Sequence, residues 1–134
     1  MKRLIICLLV SCMIVGSAAF ACGVCVDDKV ASAYDHAVVQ DAWKNGKVVV
    51  FCELSGPYPV KELNQKAKAA AKGLRGVSQA SIRTGKDLAV VSFMLDVSAQ
   101  PPTAAINELG QRLQKDEISP ELLKVLESKP KNRT

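Results

Sequence analysis

The central part of the chain changes from a strand-like to a helix-like spacing of apolar residues. Residues 47–54, KVVVFCEL, are rich in β-branched side chains, which predicts a short buried strand that ends at Ser55-Gly56-Pro57. From residue 60 the apolar positions recur every three or four residues, which predicts a helix with one buried face. The residues of that face are Val60, Leu63, Ala67, Ala70, Ala71 and Leu74.

The second half of the chain repeats this change of period. Residues 77–84 and 88–95, separated by Gly85-Lys86-Asp87, have the pattern of a β-hairpin. Thr103 is then expected to cap a helix that runs to about Gln114. The buried face of this helix carries Ile106, Leu109 and Leu113.

The last apolar segment has two interpretations. Ser119-Pro120-Glu121 is typical of a helix start. Leu122–Leu126 is equally typical of a short edge strand, so strand and helix both remain open. Residues 128–134 are expected to form a flexible, solvated tail.

A further helix is expected before the first strand. Asp27 or Asp28 can cap it, and Asn45-Gly46 ends it after Lys44. One face of this helix would carry Val30, Ala33, Tyr34, Ala37 and Val38. The far side would carry Ser32, His36, Val39 and Trp43 as a second buried contact or an exposed partner surface.

The order of these elements predicts an α+β fold. Strand, helix, strand, strand, helix and strand give a ferredoxin-like βαββαβ antiparallel sheet over residues 47–127. Both helices would then cover one face of the sheet. Residues 22–46 would supply an extra N-terminal helix that covers the other face.

The first residues are typical of a secretory signal peptide. Lys2 and Arg3 precede an apolar run, residues 4–16, and Ala19-Phe20-Ala21 resembles an A-x-A cleavage site. Cleavage after residue 21 leaves 113 residues and reduces five cysteines to three. The apolar run is too short for a stable membrane span. The protein is therefore expected to be exported to the periplasm or the cell exterior.

Charge and composition narrow the possible functions. Loss of Lys2 and Arg3 lowers the formal charge from +5 to +3, and the remaining basic residues are scattered, so no nucleic-acid interface is expected. The mature length fits one domain with a modest core. No nucleophile elbow, phosphate-binding loop or metalloprotease motif occurs, and we expect no enzyme activity.

The three cysteines that remain after cleavage are the main candidates for a functional site. Cys22 and Cys25 form a Cys-x-x-Cys pair at the mature N-terminus, and Cys52 lies on the first strand. Thiolates select soft ions, so the pair is a candidate site for Cu(I) or Zn(II), with Cys52 as a third ligand. The alternatives are a structural disulfide, thiol–disulfide exchange, and, for Cys22, bacterial lipid attachment.

Other polar residues have simpler interpretations. His36 would lie about 13 Å along the N-terminal helix from Asp27, which is too far to share one zinc ion with the cysteines. Cys52 is also typical of a small buried hydrophobic residue. A group of helix lysines favours a solvated face, with docking of an acidic partner as the alternative. These lysines are Lys61, Lys66, Lys68 and Lys72.

The middle of the chain resembles the heavy-metal-associated domain family, ferredoxin-like modules that carry soft metals such as Cu(I). The resemblance covers about residues 47–126 and rests on a core pattern. Its positions are Gly76-Val77, Ala80, Ile82 and Ala89-Val90-Val91. In that family the Cys-x-x-Cys lies between the first strand and the first helix, where this chain reads SGPYPVKEL. Here the pair has moved to the mature N-terminus.

Two functions follow as expectations. The first is an exported soft-metal binding or carrier module that exchanges its ion with a donor or acceptor protein. The second is a non-catalytic protein-interaction domain that a disulfide stabilises. A thiol–disulfide redox protein is the third, although a thioredoxin fold would need a strand before its Cys-x-x-Cys.

Overall fold

A computed structural model of the chain describes residues 25–127. The predicted signal peptide, Cys22 and the predicted tail 128–134 lie outside the described residues. The helices are α1 (Val26–Ser32), α2 (His36–Lys44), α3 (Val60–Ala71) and α4 (Pro102–Leu113). The strands are β1 (Val48–Ser55), β2 (Arg83–Thr84), β3 (Val90–Leu95) and β4 (Ser119–Leu126).

The four strands form one antiparallel sheet in the order β2-β3-β1-β4. With helices between β1 and β2 and between β3 and β4, this is the ferredoxin-like arrangement expected from the sequence. The central strand β1 pairs with β3 from Val48↔Leu95 to Glu53↔Val90, and with β4 on its other side. The fold is therefore α+β, as predicted.

One face of the sheet packs against α3 and α4. Successive strand side chains point to opposite faces, so Val50, Cys52 and Leu54 share this side of β1. They meet Leu63 and Ala67 of α3, which are buried as the helical periodicity predicts. Val60, predicted on the same face, is exposed because it is the first residue of α3. Buried residues of α4 complete the larger core: Ala105, Ile106, Leu109 and Leu113.

The opposite face of the sheet packs against α1 and α2. Val49 and Phe51 of β1 point to this side, together with Val90 and Met94 of β3. They are covered by the apolar residues of the N-terminal helices: Val30, Ala33, Val38, Val39 and Ala42. The N-terminal segment thus covers the second sheet face, as expected.

The prediction of one continuous helix from residue 27 or 28 to Lys44 is wrong. Helix α1 ends at Ser32, and Asp35 caps α2 by accepting a hydrogen bond from the Ala37 backbone N–H at 2.9 Å. The Ser92 hydroxyl donates to the Ala33 carbonyl at 3.0 Å, which satisfies a carbonyl freed by the break. The N-cap position of α1 is Cys25, not an aspartate.

The break redirects the second half of the predicted helix. Val38 and Val39 belong to the two different faces predicted for one helix, yet both are buried. Tyr34 and Ala37, assigned to the first face, are exposed. The hydrogen bond from Ser92 of β3 stabilises the break, and periodicity contains no information about this tertiary contact.

The first predicted hairpin strand is also wrong over most of its length. A 3₁₀ turn, Gln79–Ser81, precedes the two-residue β2. Ser81 explains the difference, because its hydroxyl donates to the Ser78 carbonyl at 2.6 Å and accepts from the Met94 backbone N–H at 2.8 Å. A side chain thereby replaces part of the backbone pairing with β3.

In the C-terminal half, the predicted helix α4 is confirmed, and the segment that could be a strand or a helix is a strand. Helix α4 begins at Pro102 with Pro101 as its N-cap, so Thr103 lies in the first turn and does not cap it. Residues 119–126 form edge strand β4. Leu123 is an extra residue in its pairing with β1, and such a bulge, with Pro120 and Lys124, hinders pairing with another chain. Within residues 25–127, every helix is too short or too polar to cross a membrane.

We expect the packing of α2 on the sheet to contribute substantially to stability. Val39 is 1% exposed, so Val39→Ala removes buried methyl groups and leaves a cavity. It should lower the free energy of unfolding by about 2 kcal/mol in urea denaturation. Val97→Ala is the matched control, because Val97 is 45% exposed and should change stability by less than about 0.5 kcal/mol. Equal effects of the two substitutions would contradict this packing.

The Asp35–Arg83 ion pair predicts a pH dependence. The Arg83 guanidinium donates to Asp35 at 2.8 Å and, with the Ala37 N–H, lowers the pKa of Asp35. Because the folded-state pKa lies below the unfolded value, this stabilisation is present above the unfolded pKa and is lost as pH falls through the folded pKa. Asp35→Asn keeps a capping side chain but not the charge.

Asp35→Asn should therefore lower the urea midpoint near neutral pH, and its difference from the parent protein should shrink in strong acid. Asp87→Asn is the control, because Asp87 is an exposed turn residue with φ of 63° that asparagine also tolerates. A pH-independent difference for Asp35→Asn would show that the ion pair contributes no stability.

Candidate functional site

Cys25 lies at the surface, directly before the first residue of α1. Its carbonyl accepts the Lys29 backbone N–H at 3.1 Å, while its side chain makes no capping hydrogen bond. Helix α1 is held on the sheet by buried Val30 and by the Lys29–Glu53 ion pair, whose Nζ–Oε2 distance is 2.7 Å. The thiol is therefore presented to solvent from a helix that is packed on the sheet.

Cys52 has the opposite environment. It is fully buried in β1, on the face covered by α3 and α4, and its Sγ lies 3.6 Å from the Glu53 carbonyl oxygen. Burial raises the pKa of the Cys52 thiol to about 12, and the nearby carboxylates of Glu53 and Glu121 also raise it. The environment is that of an unreactive core residue.

The structure does not bring Cys52 together with Cys25. The Cys52 side chain faces the α3 and α4 core, whereas α1 packs on the opposite face of the sheet. Neither thiol forms a disulfide within the described residues. In that same part of the chain, no group of three or more His, Cys, Asp or Glu side chains is placed to hold a metal ion. Cys22, the other half of the Cys-x-x-Cys, lies outside the described residues.

His36 lies at the start of α2, and the break before α2 removes the argument that placed it far along a single helix. Its Nδ1 is 3.3 Å from the Tyr34 hydroxyl, and both side chains are exposed. Tyr34 and His36 form a small aromatic pair with ring centroids 6.4 Å apart. His36 is therefore a hydrogen-bonded surface residue in this structure.

Sequence reasoning missed a groove between α3 and the turn that joins β2 to β3. This groove, of about 530 Å³, has Lys61 and Lys68 along α3 and Gly85 and Asp87 on the opposite wall. Asn64 lines it and is only 6% exposed. The sequence signal that could have revealed this groove is Asn64, a polar residue within the buried helix face, one residue after Leu63 and three before Ala67. We call this feature the lysine groove.

The two described cysteines should differ strongly in alkylation. In the reduced, folded protein at pH 8, iodoacetamide should modify Cys25 and leave Cys52 unmodified, because the Cys52 thiol is buried and protonated. Peptide mapping by mass spectrometry measures each site, and the same reaction in urea is the control that should modify both. Equal modification rates in the folded protein would contradict the burial of Cys52.

Comparison with known proteins adds no relative to this description. No family model, curated protein or solved structure matches the chain.

Proposed function

We propose that this protein is an exported, non-catalytic soft-metal binding or carrier module that holds its ion through Cys22 and Cys25. The observation that carries the proposal is the exposed position of Cys25 at the start of a helix packed on the sheet. An exposed ligand such as Cys25 suits an ion that must pass to another protein, because a partner's ligand can reach the ion directly.

Cu(I) is the ion that best fits this ligand set. Two thiolates are soft ligands that select Cu(I), whereas a structural Zn(II) site requires four ligands. Residues 25–127 offer no group of three or more potential ligands that would complete a zinc shell. The metal is cargo in this proposal, and the partner is a donor or acceptor of the same ion.

Cys52 is left out of the proposed site for a physical reason. Binding through Cys52 would require deprotonation of a thiol whose pKa is raised to about 12, and also its movement out of the core. Both steps oppose binding. A site formed by Cys22 and Cys25 avoids both steps.

The test is Cu(I) loading of the reduced protein, purified after export and titrated without oxygen against a chromogenic Cu(I) chelator. The parent protein should bind one equivalent. Cys22→Ser and Cys25→Ser should each weaken binding by more than the roughly 10- to 100-fold that loss of an outer-sphere contact costs, because each removes a direct ligand. Cys52→Ala is the matched control and should retain the parent affinity.

Two outcomes would contradict the proposal. Equal loss in Cys52→Ala would return that residue to the site, and absence of Cu(I) binding in the parent would remove the metal function. The intact mass of the unreduced protein distinguishes the metal-binding function from the alternative, a disulfide-stabilised interaction domain. A mass two hydrogens below the reduced value, with one thiol that alkylates only in denaturant, would favour a disulfide-stabilised interaction domain.

A further inference from the structure

A row of three lysines, interrupted by Gln65, runs along one side of α3. Lys61, Gln65, Lys68 and Lys72 follow one another at intervals of four, three and four residues, which places them on one helix face. All four are exposed. Lys61, Gln65 and Lys68 line the lysine groove, and Lys72 lies at the C-terminal end of α3.

The lysines of this row are not paired with carboxylates within residues 25–127, unlike four other basic residues. Lys66 and Arg112 each lie within 4.0 Å of a carboxylate oxygen, of Asp116 and Glu108 respectively. None of the ion pairs among residues 25–127 includes Lys61, Lys68 or Lys72. Asp87 is the one carboxylate that lines the groove, so the groove carries an excess of positive charge.

Asn64 supplies a second and different observation. Its Nδ2 donates to the carbonyls of Gly85 and Leu88 at 3.2 and 3.0 Å, which fixes the orientation of the amide. Its Oδ1 is buried and has no hydrogen-bond partner within the described residues. A buried acceptor without a donor is unfavourable, so this oxygen favours a ligand that brings an N–H group.

We propose that the lysine groove binds an extended acidic segment of a partner protein. Side-chain carboxylates of that segment pair with Lys61, Lys68 and Lys72. A backbone N–H donates to Asn64 Oδ1 after the exposed side chains that line the groove move aside. The distance along α3 from residue 61 to 72 is about 16 Å at the helical rise. This matches about five residues of extended chain.

The combination of groups favours a peptide over other anions. Lysine ammonium groups are donors that bind any anion, whereas the unpaired acceptor at Asn64 favours a ligand that also carries a donor. A peptide carries carboxylates and N–H groups at regular spacing. The concave wall formed by Gly85 and Asp87 also suits a single chain better than a flat membrane surface. This site does not depend on the cysteine pair.

The probe is a fluorescein-labelled peptide, Glu-Ser-Glu-Ser-Glu, whose binding to the exported protein is measured by fluorescence anisotropy at low salt. The matched control peptide has a glutamine in place of each glutamate. The triple variant Lys61→Gln, Lys68→Gln, Lys72→Gln should weaken binding at least about tenfold, which corresponds to two or three lost charge pairs at an exposed site. The charge-matched variant Lys44→Gln, Lys115→Gln, Lys124→Gln should weaken it less than about threefold.

NMR provides the local readout. Addition of the peptide should shift the Asn64 side-chain amide and the Gly85 backbone amide. Equal weakening in the two triple variants, binding of the glutamine peptide with equal affinity, or absence of binding would overturn the proposal. So would a groove-dependent association with phosphatidylglycerol vesicles in place of the peptide. Unchanged urea midpoints of both triple variants verify that the substitutions of exposed lysines leave the fold intact.

Discussion

The burial of β1 on both faces is the constraint on which the rest of the structure depends. From Val48 to Cys52 every side chain of this strand is buried, and β3 and β4 pair with its two edges. A strand in this position needs apolar side chains packed against both faces of the sheet. Helices α3 and α4 provide it on one side, and the N-terminal helices provide it on the other. Without α1 and α2, Val49 and Phe51 would face water.

This constraint also gives Cys52 and Cys25 different environments. Alternation along β1 directs Cys52 into the α3 and α4 core, where burial keeps its thiol protonated. The same alternation directs Glu53 to the other face, where it pairs with Lys29 and holds α1 in place. Cys25 is therefore presented at the surface by the helix that closes the second face. The packing of the fold and the exposure of the proposed metal ligand have one cause.

The remaining surface features lie where the sheet is least regular. β2 has only two residues, and the turn after it contacts α3 through Asn64. The lysine groove lies between this turn and α3. At the opposite edge, β4 carries a bulge and Pro120, which disfavour pairing with another strand. The proposed peptide site therefore depends on side-chain recognition by α3 and not on addition of a strand to an open edge.

The sequence by itself determined the order of the elements from β1 to α4, because that order follows from apolar periodicity, which is local. It predicted β1, the buried faces of α3 and α4 and the covered second sheet face. Only the tertiary structure decided the break before Asp35, the shortened β2 and the strand at Ser119–Leu126. These depend on partners distant in sequence, such as Ser92 for Ala33 and β1 for β4. The Cys-x-x-Cys is visible in the sequence, whereas the separation of Cys25 from Cys52 arises from strand alternation and helix packing in three dimensions.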